Sequence, residues 1–247
     1  MNRIELIRDL FAKTNFSTYL EIGCHSGLSF LPLECRNKIA VDPHFIIPMK
    51  TKLSWLLKNR SNLRNKYFEE TSDAFFSKRK SYLEKAQPLD VALVDGLHTF
   101  QTSLNDVLHT LEYLNGTGLI IMHDCLPPHK AAAIPTKQFP NEKESDIEGW
   151  TGEWCGDVWK SIVYLRENLS ESLDVCVINT DYGLGVIRIK NNIDGVLKIN
   201  QKSFDEIDKM TYDEMIENRE STLNLKSADY GETIIKEISS LAENLRN

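Results

Sequence analysis

The chain has 247 residues, 41% of them hydrophobic and 26% charged, with a formal net charge of −7. These values are those of an ordinary soluble globular protein and predict one large α/β domain rather than two. The acidic balance argues against a nucleic-acid partner. No apolar run reaches the ~18 residues of a membrane span, so no membrane partner is expected either. Five cysteines, Cys24, Cys35, Cys125, Cys155 and Cys176, lack CxxC spacing. An odd, unpatterned set argues against a disulfide framework or a structural zinc site and predicts reduced thiols in a cytoplasm. The amphipathic N-terminus has no signal-peptide core, so it is expected in the mature fold.

In chain order, Ile4, Leu6, Ile7, Leu10 and Phe11 predict a helix over residues 3–12. Thr18–Ile22 reads as a first strand. It runs into a turn with glycines four positions apart, Gly23 and Gly27. Pro32 would break a long helix after that turn, so one or two helical turns are expected at most. A second strand over residues 38–42 ends in Asp42. A helix over 51–58 follows, then a strand over 66–69. The basic run from Lys50 to Lys66 reads as a solvated helix face. Thr71, Ser72 and Asp73 read as a helix start before Ala74-Phe75-Phe76.

Residues 89–94 form an apolar run that suits a central strand buried on both faces and ends in Asp95-Gly96. Residues 100–114 are amphipathic, with Asn115-Gly116-Thr117-Gly118 predicted to stop the helix. Residues 119–122 read as another buried strand, ending in His123-Asp124. The proline-containing connection from Cys125 to about Gly156 is long enough to be a functional lid. A helix over 158–166 precedes a hairpin of residues 175–179 and 184–189. Two further helices are expected, one around Phe204–Glu206 and one over residues 234–245. The tail from Asn191 to Asn247 either docks on the domain or mediates a homo-oligomer.

Alternating strands and helices predict a parallel sheet covered on both sides. Ligands collect beyond the carboxyl ends of such strands. Those ends deliver Glu21 and Gly23, Asp42, Ser72 and Asp73, Asp95, and His123 with Asp124 to one edge. A buried carboxylate is costly unless it is paired or bound. Gly23 and Gly27 let the backbone approach a ligand closely. An acid at the tip of the next strand suits ribose hydroxyls. A dinucleotide fingerprint needs glycine where His25 stands, which argues against NAD.

The segment Glu21-Ile22-Gly23-Cys24-His25-Ser26-Gly27 resembles motif I of the class I S-adenosylmethionine (SAM) methyltransferases. Asp95-Gly96-Leu97-His98-Thr99-Phe100 and His123-Asp124 resemble a branch that includes metal-dependent sugar O-methyltransferases and cephalosporin hydroxylase-like proteins. The resemblance covers residues 18–190. It implies a doubly wound, mostly parallel seven-stranded sheet with a C-terminal antiparallel hairpin and helical tail, divided as a methyltransferase domain over 1–190 and an extension over 191–247. By the same resemblance SAM is the cofactor. Glu21 contacts its amino group directly or through water, Asp42 binds ribose, and Ser72 and Asp73 lie at adenine. Gly23, Gly27, His25 and Asp95 line the remainder, with His25 at the methionine end. Asp95 and Asp124 would ligate Mg²⁺. Cys125 stands where catechol-type relatives place an asparagine ligand, and a thiol is a poor Mg²⁺ donor. His98 reads as a general base for an acceptor hydroxyl, or as a side chain that caps the helix or orients Asp95. Strand alternation predicts that His123 and Asp124 point to opposite faces.

The implied function is methyl transfer to an oxygen of a small molecule, with a sugar or glycan-linked unit as the acceptor suggested. The competing readings are a hydroxylase-like enzyme on the same fold and a SAM- or metal-binding module without turnover.

Overall fold

Apolar residues on alternate positions of the central strands decide the architecture. A computed structural model describes residues 1–86, 88–136 and 147–244. Its strands are β1 (Thr18–Ile22), β2 (Asn37–Val41), β3 (Lys66–Phe68), β4 (Leu89–Val94), β5 (Leu114–Met122), β6 (Leu173–Ile178), β7 (Leu184–Ile189) and β8 (Leu225–Lys226). The expected seven strands form one sheet in the order β3-β2-β1-β4-β5-β7-β6, and the two-residue β8 extends its edge beyond β6. The five strands from β3 to β5 run parallel, and β7 lies antiparallel to both neighbours.

The helices are α1 (Arg3–Lys13), α2 (Met49–Lys58), α3 (Ser72–Lys78), α4 (Lys80–Lys85), α5 (Phe100–Leu111), α6 (Trp159–Asn168), α7 (Gln201–Asp208), α8 (Tyr212–Glu217), α9 (Arg219–Thr222) and α10 (Tyr230–Asn244). Leu20, Ile22, Ala92, Val94, Ile120 and Met122 face one core, which Phe75, Leu104, Val107, Ile162 and Phe204 complete from the helices. Tyr19, Val91, Leu93, Leu119 and Ile121 face the other core, completed by Leu6, Leu10, Ile234 and Ile238. The period of two thus buries both faces of the sheet. The tail docks on the domain: Phe204 joins the first core and Ile234, Ile235 and Ile238 the second. The predicted final helix begins earlier, at Tyr230, and Leu245 lies outside the described residues.

Two local expectations change. No helix forms between β1 and β2; the segment is a series of turns. The reason is competition for its carbonyls. Buried Lys38 donates from Nζ to Phe30 O and Leu33 O, both at 2.8 Å. Asn59 and Asn62 donate to Leu31 O at 3.1 and 3.0 Å. Pro32 removes a further helical donor. Second, α5 ends at Leu111, and residues 115–118 belong to β5 rather than to a helix stop. Asn115 Nδ2 donates to Asp90 Oδ1 at 2.9 Å, and Gly118 packs so tightly that a Cβ there would lie 2.6 Å from Asp90 O. The register shifts between Leu89 and Val91 to accommodate this.

Candidate active site

The ladder continues past the strand tips and lines them up. Asp42 N donates to Phe68 O, Gly23 N to Val41 O, Asp95 N to Ile22 O, and His123 N to Val94 O, over 2.9–3.2 Å. The chain order reverses between β1 and β4, which opens a crevice at their carboxyl ends. Gly23 occupies that crevice at φ +87, where a Cβ would sit 1.9 Å from Asp95 O. Only glycine allows the first turn and the β4 tip to touch in this way.

Asp42 organises the turn. Its Oδ2 accepts from His25 N and its Oδ1 from His44 N, each at 2.7 Å. Each oxygen keeps a further lone pair for a hydroxyl. His25 itself is exposed at φ +44, and Gly27 follows at φ +74. Glu21 is expected to reach the cofactor's amino group directly or through water. It is fully buried, accepting from Tyr19 Oη at 2.6 Å and Ser29 Oγ at 2.7 Å. Burial pushes its pKa up to about 7, although both hydroxyl bonds oppose the rise. Ser72 and Asp73 begin α3 under a Thr71 cap; Ser72 is buried and Asp73 exposed.

At the other side of the crevice, Asp95, His98 and Asp124 converge, each offering a donor atom within 4.8 Å of the others. His98 Nε2 lies 3.3 Å from Asp124 Oδ2 and 3.6 Å from Asp95 Oδ1. Its Nδ1 is 3.0 Å from Trp154 O. A carbonyl accepts only, so Nδ1 carries a proton and Nε2 is the atom presented to the two carboxylates. Burial disfavours an imidazolium here, but the Asp95 hydrogen bond and the charges of Asp124 and Asp95 outweigh it and raise the His98 pKa.

His123 and Asp124 do not diverge to opposite faces. The strand ends at Met122 and Asp124 turns to φ +61, which cancels the alternation and brings His123 Nδ1 to 2.9 Å from Asp124 Oδ2. Arg3 then closes the cluster from α1. It donates from Nη1 to Asp181 Oδ2 at 3.0 Å, and its Nε is 3.5 Å from Asp95 Oδ2. Arg3 Nη1 also lies 2.8 Å from His123 Nε2. Nε2 also lies 3.5 Å from Asp181 Oδ1, so both ring nitrogens face carboxylates. The three carboxylates around His123 hold its pKa well above the ordinary value, against the effect of burial. Burial would raise the Asp95 pKa, but hydrogen bonds from His123 and His98 and the Arg3 charge hold it far below the usual carboxylate range.

Arg3 and Asp181 carry no motif; helix docking and the hairpin turn bring them in. Residues 147–157 are pinned across His98. The rings of Trp154 and His98 are 4.9 Å apart, Trp154 Nε1 donates to Ile134 O at 2.8 Å, and a Cβ on Gly156 would lie 1.9 Å from His98 O. Trp159 is fully buried in the core, and Asp157 Oδ1 accepts from Phe100 N at 2.7 Å. Residues 137–146 of the expected lid, Pro140 among them, lie outside the described residues.

A divalent ion fits the donors. Octahedral ligands about 2.1 Å from a metal stand about 3 Å apart, close to the separations of His98 Nε2 from Asp124 and Asp95. A His98 Nδ1–H held by a carbonyl is the usual support for an Nε2 ligand. The third donor is His98 and not Cys125, whose buried thiol lies 3.6 Å from His123 O and crowds Gly185. One imidazole with two carboxylates suits a nitrogen-accepting metal better than Mg²⁺.

The comparisons with known proteins converge on this region. Residues 20–125 match a family model described as a methyltransferase domain, which spans every strand tip named above. The O-methyltransferase TomG from Streptomyces achromogenes, involved in tomaymycin synthesis and solved with SAM, is 11% identical, with a TM-score of 0.54 over 75% of this chain and 79% of that one. Cofactor-bound Rv0187 from MTB is 11% identical, with a TM-score of 0.53 over 78% and 82%. At such identities the likeness is one of fold. No curated protein sequence matches the chain. Among the described residues no helix is long and apolar enough to cross a membrane.

Proposed function

We propose that this protein is a SAM-dependent O-methyltransferase with a small-molecule acceptor of the sugar class, working in the cytoplasm. The observation that carries the reading is the meeting of the glycine turn with the Asp95, His98 and Asp124 cluster across one crevice. SAM supplies an electrophilic methyl group when bound. The chain holds it with the Gly23–Gly27 turn and receives ribose hydroxyls on Asp42, while Ser72 and Asp73 border adenine. Glu21 acts from beneath, fixing Tyr19 and Ser29. The domain boundary proposed is residue 190, with the tail as a buttress to both cores.

In the transfer the methyl–sulfur bond breaks, a methyl–oxygen bond forms, and the acceptor hydroxyl loses its proton. His98 Nε2 is placed to receive that proton, and Asp95 and Asp124 stabilise the imidazolium formed. The same three side chains would hold a divalent ion, which would lower the hydroxyl's pKa. His123 and Arg3 orient the carboxylates. Electrostatic positioning of this kind is effective because the groups are fixed before the acceptor arrives.

The test is calorimetric titration with S-adenosylhomocysteine, followed by methyl-transfer assays on free and linked sugars with and without chelator. Micromolar binding with transfer supports the reading. Binding without transfer to any hydroxyl acceptor would favour a non-catalytic module, and no binding would remove the cofactor assignment. Loss of transfer in chelator, restored by Mn²⁺, would assign His98 as a ligand rather than the base.

A further inference from the structure

From Pro43 to Phe68 the chain has no acidic residue and six lysines and arginines, in a protein of net charge −7. The structure places α2 on the outside of this segment, with none of its ten residues buried. Met49, Leu53 and Leu57 recur every fourth position and therefore share one face. That face points outward. The turns that flank α2 or are bonded beside it add Leu28, Ile46 and Leu63, so this region holds six of the ten large apolar side chains that the described residues expose, at 46% to 87% exposure. The exposure is thus concentrated in one patch, which is the signature of an interaction surface rather than of scattered surface leucines.

The patch is held in this form. Ile46 N donates to His25 O at 3.1 Å, and Asn59 Nδ2 donates to Leu33 O at 2.8 Å. On the inner side Lys52 Nζ sits 4.4 Å above the Tyr67 ring. The exposed leucines therefore cannot turn inward without breaking these contacts. Lys50, Lys58, Arg60 and Arg64 are exposed around them.

The charge selects the occupant. Two copies of a patch with four exposed cations and no acid would repel each other across a twofold axis. The form selects further: α2 is a helix with no residue buried, where a peptide helix would need a groove. An apolar helix face with a basic border on an otherwise acidic protein matches an anionic lipid surface, with leucines at the acyl boundary and cations among the headgroups. We propose that α2 and the turn after it dock this protein on anionic lipid. Interfacial docking needs no spanning segment, so it is compatible with the absence of an apolar run, and it turns the basic run from a merely solvated helix face into a binding surface. The inference does not rest on the reaction proposed above.

Co-sedimentation of the full chain with phosphatidylcholine vesicles, with and without phosphatidylglycerol, tests it. The expected result is binding only when phosphatidylglycerol is present, weakened roughly tenfold by Leu53→Ser with Leu57→Ser and, separately, by Lys50→Gln with Lys58→Gln. Thermal melting and S-adenosylhomocysteine titration of both variants should match the parent. Absence of pelleting, equal pelleting with neutral vesicles, or indifference to both pairs of substitutions would overturn the proposal. So would a dimer in light scattering that Leu53→Ser with Leu57→Ser dissociates, since the helix face would then be a protein interface.

Discussion

Two sets of carboxyl groups in this protein, wholly or partly buried, have opposite surroundings. At the strand tips Asp95, Asp124 and Asp181 share two histidines and Arg3, and Asp95 and Asp181 are held well below the ordinary carboxylate range despite burial. Inside the fold neither Glu21 nor Asp106 makes an ion pair among the described residues, and burial pushes both up to about 7. Glu21 at least receives two hydroxyl bonds. Asp106 is 1% exposed and neither of its oxygens meets a partner in full hydrogen-bond geometry; the nearby Ser72 hydroxyl lowers its pKa only in part, and the Asp73 charge adds to the rise. Burial alone therefore does not decide the charge of a carboxyl group here. The cation brought by another element does, and in this chain the cations were brought to the crevice.

The sharpest way to break the comparison is Asp124→Asn. It removes one charge from the tip cluster, and methyl transfer should fall by roughly 10²–10⁴-fold, while S-adenosylhomocysteine affinity changes little in calorimetry. Equal loss of both would remove the catalytic role. Next comes Arg3→Met, which leaves Asp95 and Asp181 short of a cation at a half-buried position. We expect a loss of about 1–3 kcal/mol in urea unfolding, partly recovered by adding Asp181→Asn. No recovery would mean that Arg3 acts through packing of α1.

The neutral pair gives the pH dependence. Folding raises the pKa of Glu21 from 4.5, and of Asp106 from 3.8, to about 7. The folded chain then binds those protons more tightly than the unfolded chain. Their contribution to stability is fully present below the unfolded values and is lost as pH rises toward 7. Unfolding free energy should therefore increase as pH falls from about 7.5 to about 5, by a few kcal/mol in all. Asp106→Asn should flatten roughly half of that slope, and Glu21→Gln the other half. The smallest effect is Asp106→Leu at pH 7.5, expected to stabilise by about 1 kcal/mol because it removes a buried acid with no ion pair among the described residues. A loss of stability there would show that Asp106 has a partner in solution.

Much of the architecture could be read without coordinates. The bounds of β1 and β4, the hairpin and most helices follow from apolar period and turn residues, because burial on both faces leaves a pattern in local sequence. Gly23, Asp95, His98 and Asp124 could likewise be named, since strand ends in a parallel sheet share one edge. Pro32 announced that no long helix follows β1, but not that Lys38, Asn59 and Asn62 take the carbonyls of that segment from a distance. The turning of His123 toward Asp124 could not be read either, since it depends on one residue at positive φ. Arg3 and Asp181 lie 178 positions apart, and only the docking of α1 beside the β6–β7 turn makes them neighbours. Sequence alone determined which elements form and which polar residues share the edge of the candidate site, since those are properties of local periodicity. Tertiary structure decided the charge, tautomer and partners of each side chain, since these depend on residues that packing brings together.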